Sequence, residues 1–193
     1  MAQIGVSLCA LAKQGFVVLG GILVVLALLS GASAAGVDTL ENAVKGTYLY
    51  KFGPFVQWPE NAHDGPDSPV RLCIVGSDPF GPALDQAVAG QRMGARPITV
   101  TRQQTAARDS GCHIMYLGGS PAQSIVEGLA AVRGTPVLTI TDASSNARAS
   151  GIIEFVIDNN RVRFNIDEVA AAENGIVISS QLLNLARAVR PRG

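Results

Sequence analysis

Val70-Arg71-Leu72-Cys73-Ile74-Val75-Gly76-Ser77-Asp78-Pro79-Phe80-Gly81 and, further on, Cys112-His113-Ile114-Met115-Tyr116-Leu117-Gly118-Gly119-Ser120-Pro121 share one pattern. Each is a short apolar run that breaks into a glycine turn, followed by a proline suited to the start of a helix. Runs this short and this apolar read as strands covered on both faces. Two such units predict parallel strands joined by helical crossovers, with both turns opening at one edge of one sheet.

Outward from these units the pattern repeats. Upstream, Asp38 to Trp58 predicts an amphipathic helix with Leu40, Val44, Tyr48, Phe52 and Phe55 as its apolar stripe. Gly53-Pro54 should kink or end it, because proline removes a backbone donor. Downstream, Pro82 to Val88 predicts a short helix, Pro97 to Thr101 a strand, and Gln103 to Ser110 an irregular crossover. Ala122 to Val132 predicts the next helix and Pro136 to Thr141 the next strand, running into Asp142. Ile152 to Ile157 and Arg161 to Ile166, joined by Asp158-Asn159-Asn160, carry hairpin chemistry and predict an antiparallel hairpin at the sheet edge. Asp167 to Glu173 predicts a short helix stopped at Asn174-Gly175, and Ser179 to Val189 a closing amphipathic helix with Leu185 turned inward. The expected architecture is α/β with three layers: a mostly parallel sheet, a hairpin at its C-terminal edge, and helices on both faces.

The N-terminus reads as an export signal. No charge occurs from Gln14 to Val37, Lys13 precedes the apolar run, and Ala32-Ser33-Ala34 supplies a small-x-small cleavage pattern. The expected organisation is a signal peptide over 1–34 and a single α/β domain over 35–193; an uncleaved anchor is the alternative. Cys9 would leave with the signal, so Cys73 and Cys112 remain, in a compartment where disulfides persist. The readings are a disulfide, if the first and third strands lie side by side, or two buried thiols in separate parts of the core.

Formal net charge is zero over 193 residues, which gives no bulk electrostatic case for nucleic acid. The two turns, through Gly76, Ser77 and Asp78 and through Gly118, Gly119 and Ser120, with Asp142 beyond, could offer amides to a small anion or other ligand at the strand ends. They carry neither a phosphate-loop nor a dinucleotide glycine pattern. Only His63 and His113 follow the leader as imidazoles: His63 sits in a polar loop expected to be mobile, and His113 follows a cysteine within a strand. Neighbouring strand residues face opposite ways, so Cys112-His113 is a poor nucleophile pair. No catalytic constellation, metal-ligand spacing or cofactor motif emerges. Trp58, beside the kink and before Pro59, is the aromatic to test as a partner contact.

Taken in order, these residues resemble a known family. Lys51-Phe52, Phe55-Val56-Gln57-Trp58-Pro59, Leu72 to Gly81, Gly111 to Tyr116, Pro136 to Asp142, Gly151-Ile152-Ile153, Val162 to Ile166 and Ser179 to Ala186 are similar in sequence and order to the YfiR-like exported bacterial proteins. The resemblance implies a periplasmic α/β protein, commonly dimeric, that binds the periplasmic sensing domain of an inner-membrane diguanylate cyclase and holds it inactive. It further implies an outer-membrane, peptidoglycan-associated lipoprotein that relieves the restraint. Cys73 and Cys112 match the family's first cysteine pair. A second pair would fall between Ser145 and Gly151, where this chain has no cysteine, and His113 replaces an acidic residue.

Overall fold

The computed structural model describes residues 32–145 and 147–193, with side chains from Thr39 onward. The chain divides into two units, residues 1–40 and 41–193, and the fold below is that of the second. The signal-peptide expectation falls almost wholly outside the described residues; Ala32 to Ala34 alone lie within them, in α1 (Ala32–Lys51).

Eight strands form one sheet in the order β10-β8-β7-β6-β5-β2-β4-β3. Its parallel centre is β4 (Arg96–Gln103), β2 (Val70–Gly76), β5 (Ile114–Gly119), β6 (Leu138–Asp142) and β7 (Ile153–Asp158). Two short helices, α2 (Pro82–Val88) and α3 (Ile125–Val132), make crossovers, and Ser124 and Glu127 close a capping box on α3. Antiparallel pairs flank the centre: β3 (Arg92–Met93) on β4, and β7 on β8 (Arg161–Asp167). The β7–β8 turn places Asn159 and Asn160 at positive φ, the conformation that tight hairpins need and asparagine tolerates. The three-layer, mostly parallel α/β architecture is the one the sequence pattern predicts.

α1 ends at Lys51, just ahead of the Gly53-Pro54 pair expected to kink or end it, and Gly53–Phe55 form a 3-10 turn. Three features differ from expectation. Val56–Gln57 then become β1, antiparallel to β9 (Val177–Ile178). The face of α1 is also rotated: Leu40 is 69% exposed and Val44 37%, whereas Lys45, Leu49 and Phe52 face the core. The expected closing helix over Ser179–Val189 is only α5 (Ser180–Leu183), and Ala188–Arg190 form β10, parallel to β8. Otherwise β8's outer backbone groups would stand unpaired, so ladder pairing overrides a weak helical stripe. The hairpin is therefore next to the edge, with β10 outside it, and Leu185 is 60% exposed rather than turned inward.

The two faces carry different cores. On one, α1, α2, α4 (Glu168–Glu173) and α5 cover Leu72, Ile74, Ile114, Ile140, Phe155 and Phe164. Phe52 meets Phe164 edge-on at 5.0 Å between centroids, and Tyr48 stacks on Phe52 at 5.6 Å. The other face is smaller: Cys73, Val75, Met115 and Leu117 under Ile125 and Val132 of α3.

Candidate functional site

β2 lies between β4 and β5, and on that smaller face Cys73 stands opposite Met115. The order brings Cys112, just ahead of β5, beside Cys73. The two form a disulfide with Cα atoms 5.9 Å apart. Both sulfurs are buried, and the Gln103 amide and the Thr101 hydroxyl lie against them. The alternative of two separate thiols does not describe this molecule.

His113 follows the disulfide and faces the opposite way, 2% exposed, at the amino end of the sheet. Its Nδ1 accepts the Arg71 backbone N–H at 3.0 Å, which leaves Nε2 to donate to the Ala62 carbonyl at 3.0 Å. Burial, and then the neighbouring His63 and Arg71, hold its pKa down to about 4. A proton on Nδ1 would turn that acceptor into a donor facing Arg71 N–H. His63, expected in a mobile loop, stacks on His113 with centroids 4.3 Å apart. Its pKa is lowered by burial and by the Arg96 and Arg71 guanidiniums. Trp58 meets both rings edge-on, at 6.0 Å from His63 and 6.5 Å from His113. Trp58 Nε1, a donor, and His63 Nδ1 are both buried without a hydrogen-bond partner. This three-ring cluster was not legible as a cluster in the sequence, since its members come from two segments joined only by the sheet.

A family model described as YfiR/HmsC-like matches residues 42–187. The chain belongs to this family. The match takes in the disulfide, the ring cluster and every strand except β10. YfiR/HmsC-like proteins are regulators.

The residues marked at the strand ends are engaged with one another. The turns after β2 and β5 pack backbone to backbone: a Cβ on Gly76 would run into the Gly119 carbonyl, and one on Gly118 into the Ser77 carbonyl. Ser77 N–H donates to the Gly119 carbonyl at 2.8 Å, so this amide is used within the protein. Asp78 accepts from the Phe80 and Gly81 amides and pairs with Arg102, which also holds Asp85. Ser120 caps its own turn by accepting from the Ala122 and Gln123 amides. Glycine here permits close approach of two chains, a use the sequence could not separate from ligand binding.

Asp142 lies beside a residue that sequence reasoning missed. Its carboxylate takes the ammonium of Lys45, which is 2% exposed and also pairs with Glu41 one turn earlier on α1. Asp142 further accepts from the Ser144 amide and hydroxyl. The pairing raises the Lys45 pKa despite burial, so the lysine stays charged. Its signal was present: Lys45, Leu49 and Phe52 repeat at helical spacing, and a charge in such a row needs a buried partner.

Proposed function

We propose that this YfiR/HmsC-like protein is a periplasmic regulator that binds the sensing domain of an inner-membrane diguanylate cyclase and holds it inactive. The family match over residues 42–187 carries the reading. It is supported by a leader of exported character over 1–34 and by a disulfide, the bond that an oxidising compartment preserves. A repressor of this kind works only if it binds the inactive arrangement of the sensing domain more tightly than the active one. Release would follow when an outer-membrane, peptidoglycan-associated lipoprotein competes for the chain, and the working form would be a homodimer. Trp58, half-buried between the histidines and the core, is the aromatic to place against a partner.

Deletion of the gene should raise cellular cyclic-di-GMP, and export of the chain from a plasmid should lower it again. The cyclase should co-purify with the tagged chain from detergent-solubilised membranes. Unchanged cyclic-di-GMP on deletion, with no cyclase recovered, would overturn the proposal.

A further inference from the structure

Among the described residues, the smaller face of the sheet is covered only in part. α3 packs over β2, β5 and the start of β6, and the residues it buries end near Val137. Beyond β6 the same face continues through Glu154 and Val156 of β7 and Arg161, Arg163 and Asn165 of β8, because alternate strand residues share a face. Their opposite numbers Ile153, Phe155, Phe164 and Ile166 are sealed in the main core, whereas these five are half-buried or exposed. The 3-10 turn Ala143–Ser145 reaches β7, and none of these five residues belongs to the cluster buried under α3.

A cavity of about 350 Å³ opens on this half-face, between Glu154, Asn165, Asp167 and the β10 residues Ala188 to Arg190. Asn165 donates its amide N–H to Glu154 at 3.1 Å, which fixes the amide's orientation because a carboxylate can only accept. Asn165 Oδ1 is then a buried acceptor with no donor. Of the arginines on this edge, Arg190 lines the cavity. Arg161, Arg163, Arg187, Arg190 and Arg192 lie on β8 or on the chain from 187 onward. Arg187 pairs with Asp158 and Arg190 with Asp167. Arg161 and Arg163 are exposed and meet no carboxylate among the described residues. At the hairpin tip Ile157 and Val162 alternate onto the main-core face, so the apolar side chain on this half-face is Val156, half-buried opposite Arg163.

We infer that the uncovered half-face, from β7 to β10, is the surface on which the regulated protein docks, and that the partner is a folded domain with an acidic face. The inference rests on the regulatory reading above and gives it a location. Two unpaired guanidiniums call for carboxylates, which they can take in a bidentate fork. A half-buried valine, Val156, flanked by arginine and by the Glu154–Asn165 pair gives this face the mixed apolar and polar composition of a protein contact. A partner group entering the cavity would supply the donor that Asn165 Oδ1 lacks. An anionic bilayer would satisfy the arginines but bring no donor to the buried Asn165 Oδ1.

The test uses full-length secreted protein and the purified periplasmic domains of the cell's membrane diguanylate cyclases. The double reversal Arg161→Glu/Arg163→Glu should weaken binding at low salt by about tenfold or more while leaving the melting temperature unchanged, since both side chains are exposed. Arg92→Glu, on the opposite edge of the sheet, should bind as the wild type does. Wild-type binding should weaken as salt rises. If the wild type binds and the double variant binds equally well, the docking face is wrong and the regulatory reading survives. If the wild type binds none of these domains, both fall together. Loss of binding in Arg92→Glu as well would show a diffuse charge effect and would also reject the face.

Discussion

The two faces of the central sheet solve the same problem by different means. One is wide and apolar, lies under α1, and holds Tyr48, Phe52, Phe155 and Phe164 in a connected set of rings. The other is narrow, lies under the eight residues of α3, and keeps a covalent bond where further apolar side chains would otherwise have to stand. The wide face even accommodates a charge, Lys45, because Asp142 and Glu41 meet it. The contrast teaches that burial can be secured by area, by a bond, or by pairing. The part of the narrow face beyond β6 has none of these among the described residues, and it is the part proposed above as the docking face.

The sharpest way to break the comparison is to open the bond. Reducing the protein, or replacing both Cys73 and Cys112 by Ala, frees a loop of sequence separation 39 in the unfolded chain. On the chain-entropy account this should cost about 4 kcal/mol. Chemical denaturation of oxidised and double-alanine protein measures it, and a difference under about 1 kcal/mol would show that the narrow face is held by packing alone.

On the wide face, Lys45→Met removes the cation and leaves Asp142 buried without it. Stability should fall by about 3 kcal/mol, because the stranded carboxylate loses its partner rather than because the pair was strongly favourable. Lys45→Met combined with Asp142→Leu should recover most of the loss. If the double variant is as unstable as the single one, the pair contributes through its hydrogen bonds and not through charge balance.

A smaller effect separates the sheet's amino end from both cores. His113 has its pKa depressed to about 4 by burial, against about 6.5 in an unfolded chain. Between those values the unfolded state binds the proton and the folded state refuses it, so stability should fall as pH drops from 6.5 towards 4. The expected loss at pH 5 is roughly 2 kcal/mol. His63, also depressed, acts in the same direction. Asp64, Asp78 and Asp85 are lowered beside their arginine partners, so they stay charged in the folded state and add to the loss only at the acid end of this window, where carboxylates of the unfolded chain begin to protonate. His113→Asn, whose carbonyl can accept the Arg71 amide in place of Nδ1, should flatten the slope of stability against pH. An equally steep slope in that variant would assign the effect elsewhere.

How much of this was legible follows from where each signal resides. Strands buried on both faces announce themselves as unbroken apolar runs, so β2, β5 and β6 were found within two residues of their ends. The hairpin was found because Asn159 and Asn160 tolerate positive φ. What escaped depends on partners distant in sequence. β10 is a strand only because β8 offers it a ladder, and the stripe of α1 begins at a lysine whose counter-charge lies 97 residues away. The stacking of His63 on His113 likewise needs the 56–69 segment folded under the sheet, which no local pattern announces. The resemblance to YfiR-like proteins succeeded for a different reason, since it used the order of many weak segments together.

The Cys73–Cys112 link has one more consequence, for what a protease can achieve. The chain between those residues includes α2, β3 and β4, the whole flank of the sheet outboard of β2. A single cut anywhere along that flank, for example after the exposed Arg108, would produce two polypeptides on a reducing gel and one molecule in solution. Cleavage there would therefore go unnoticed until the thiols were restored.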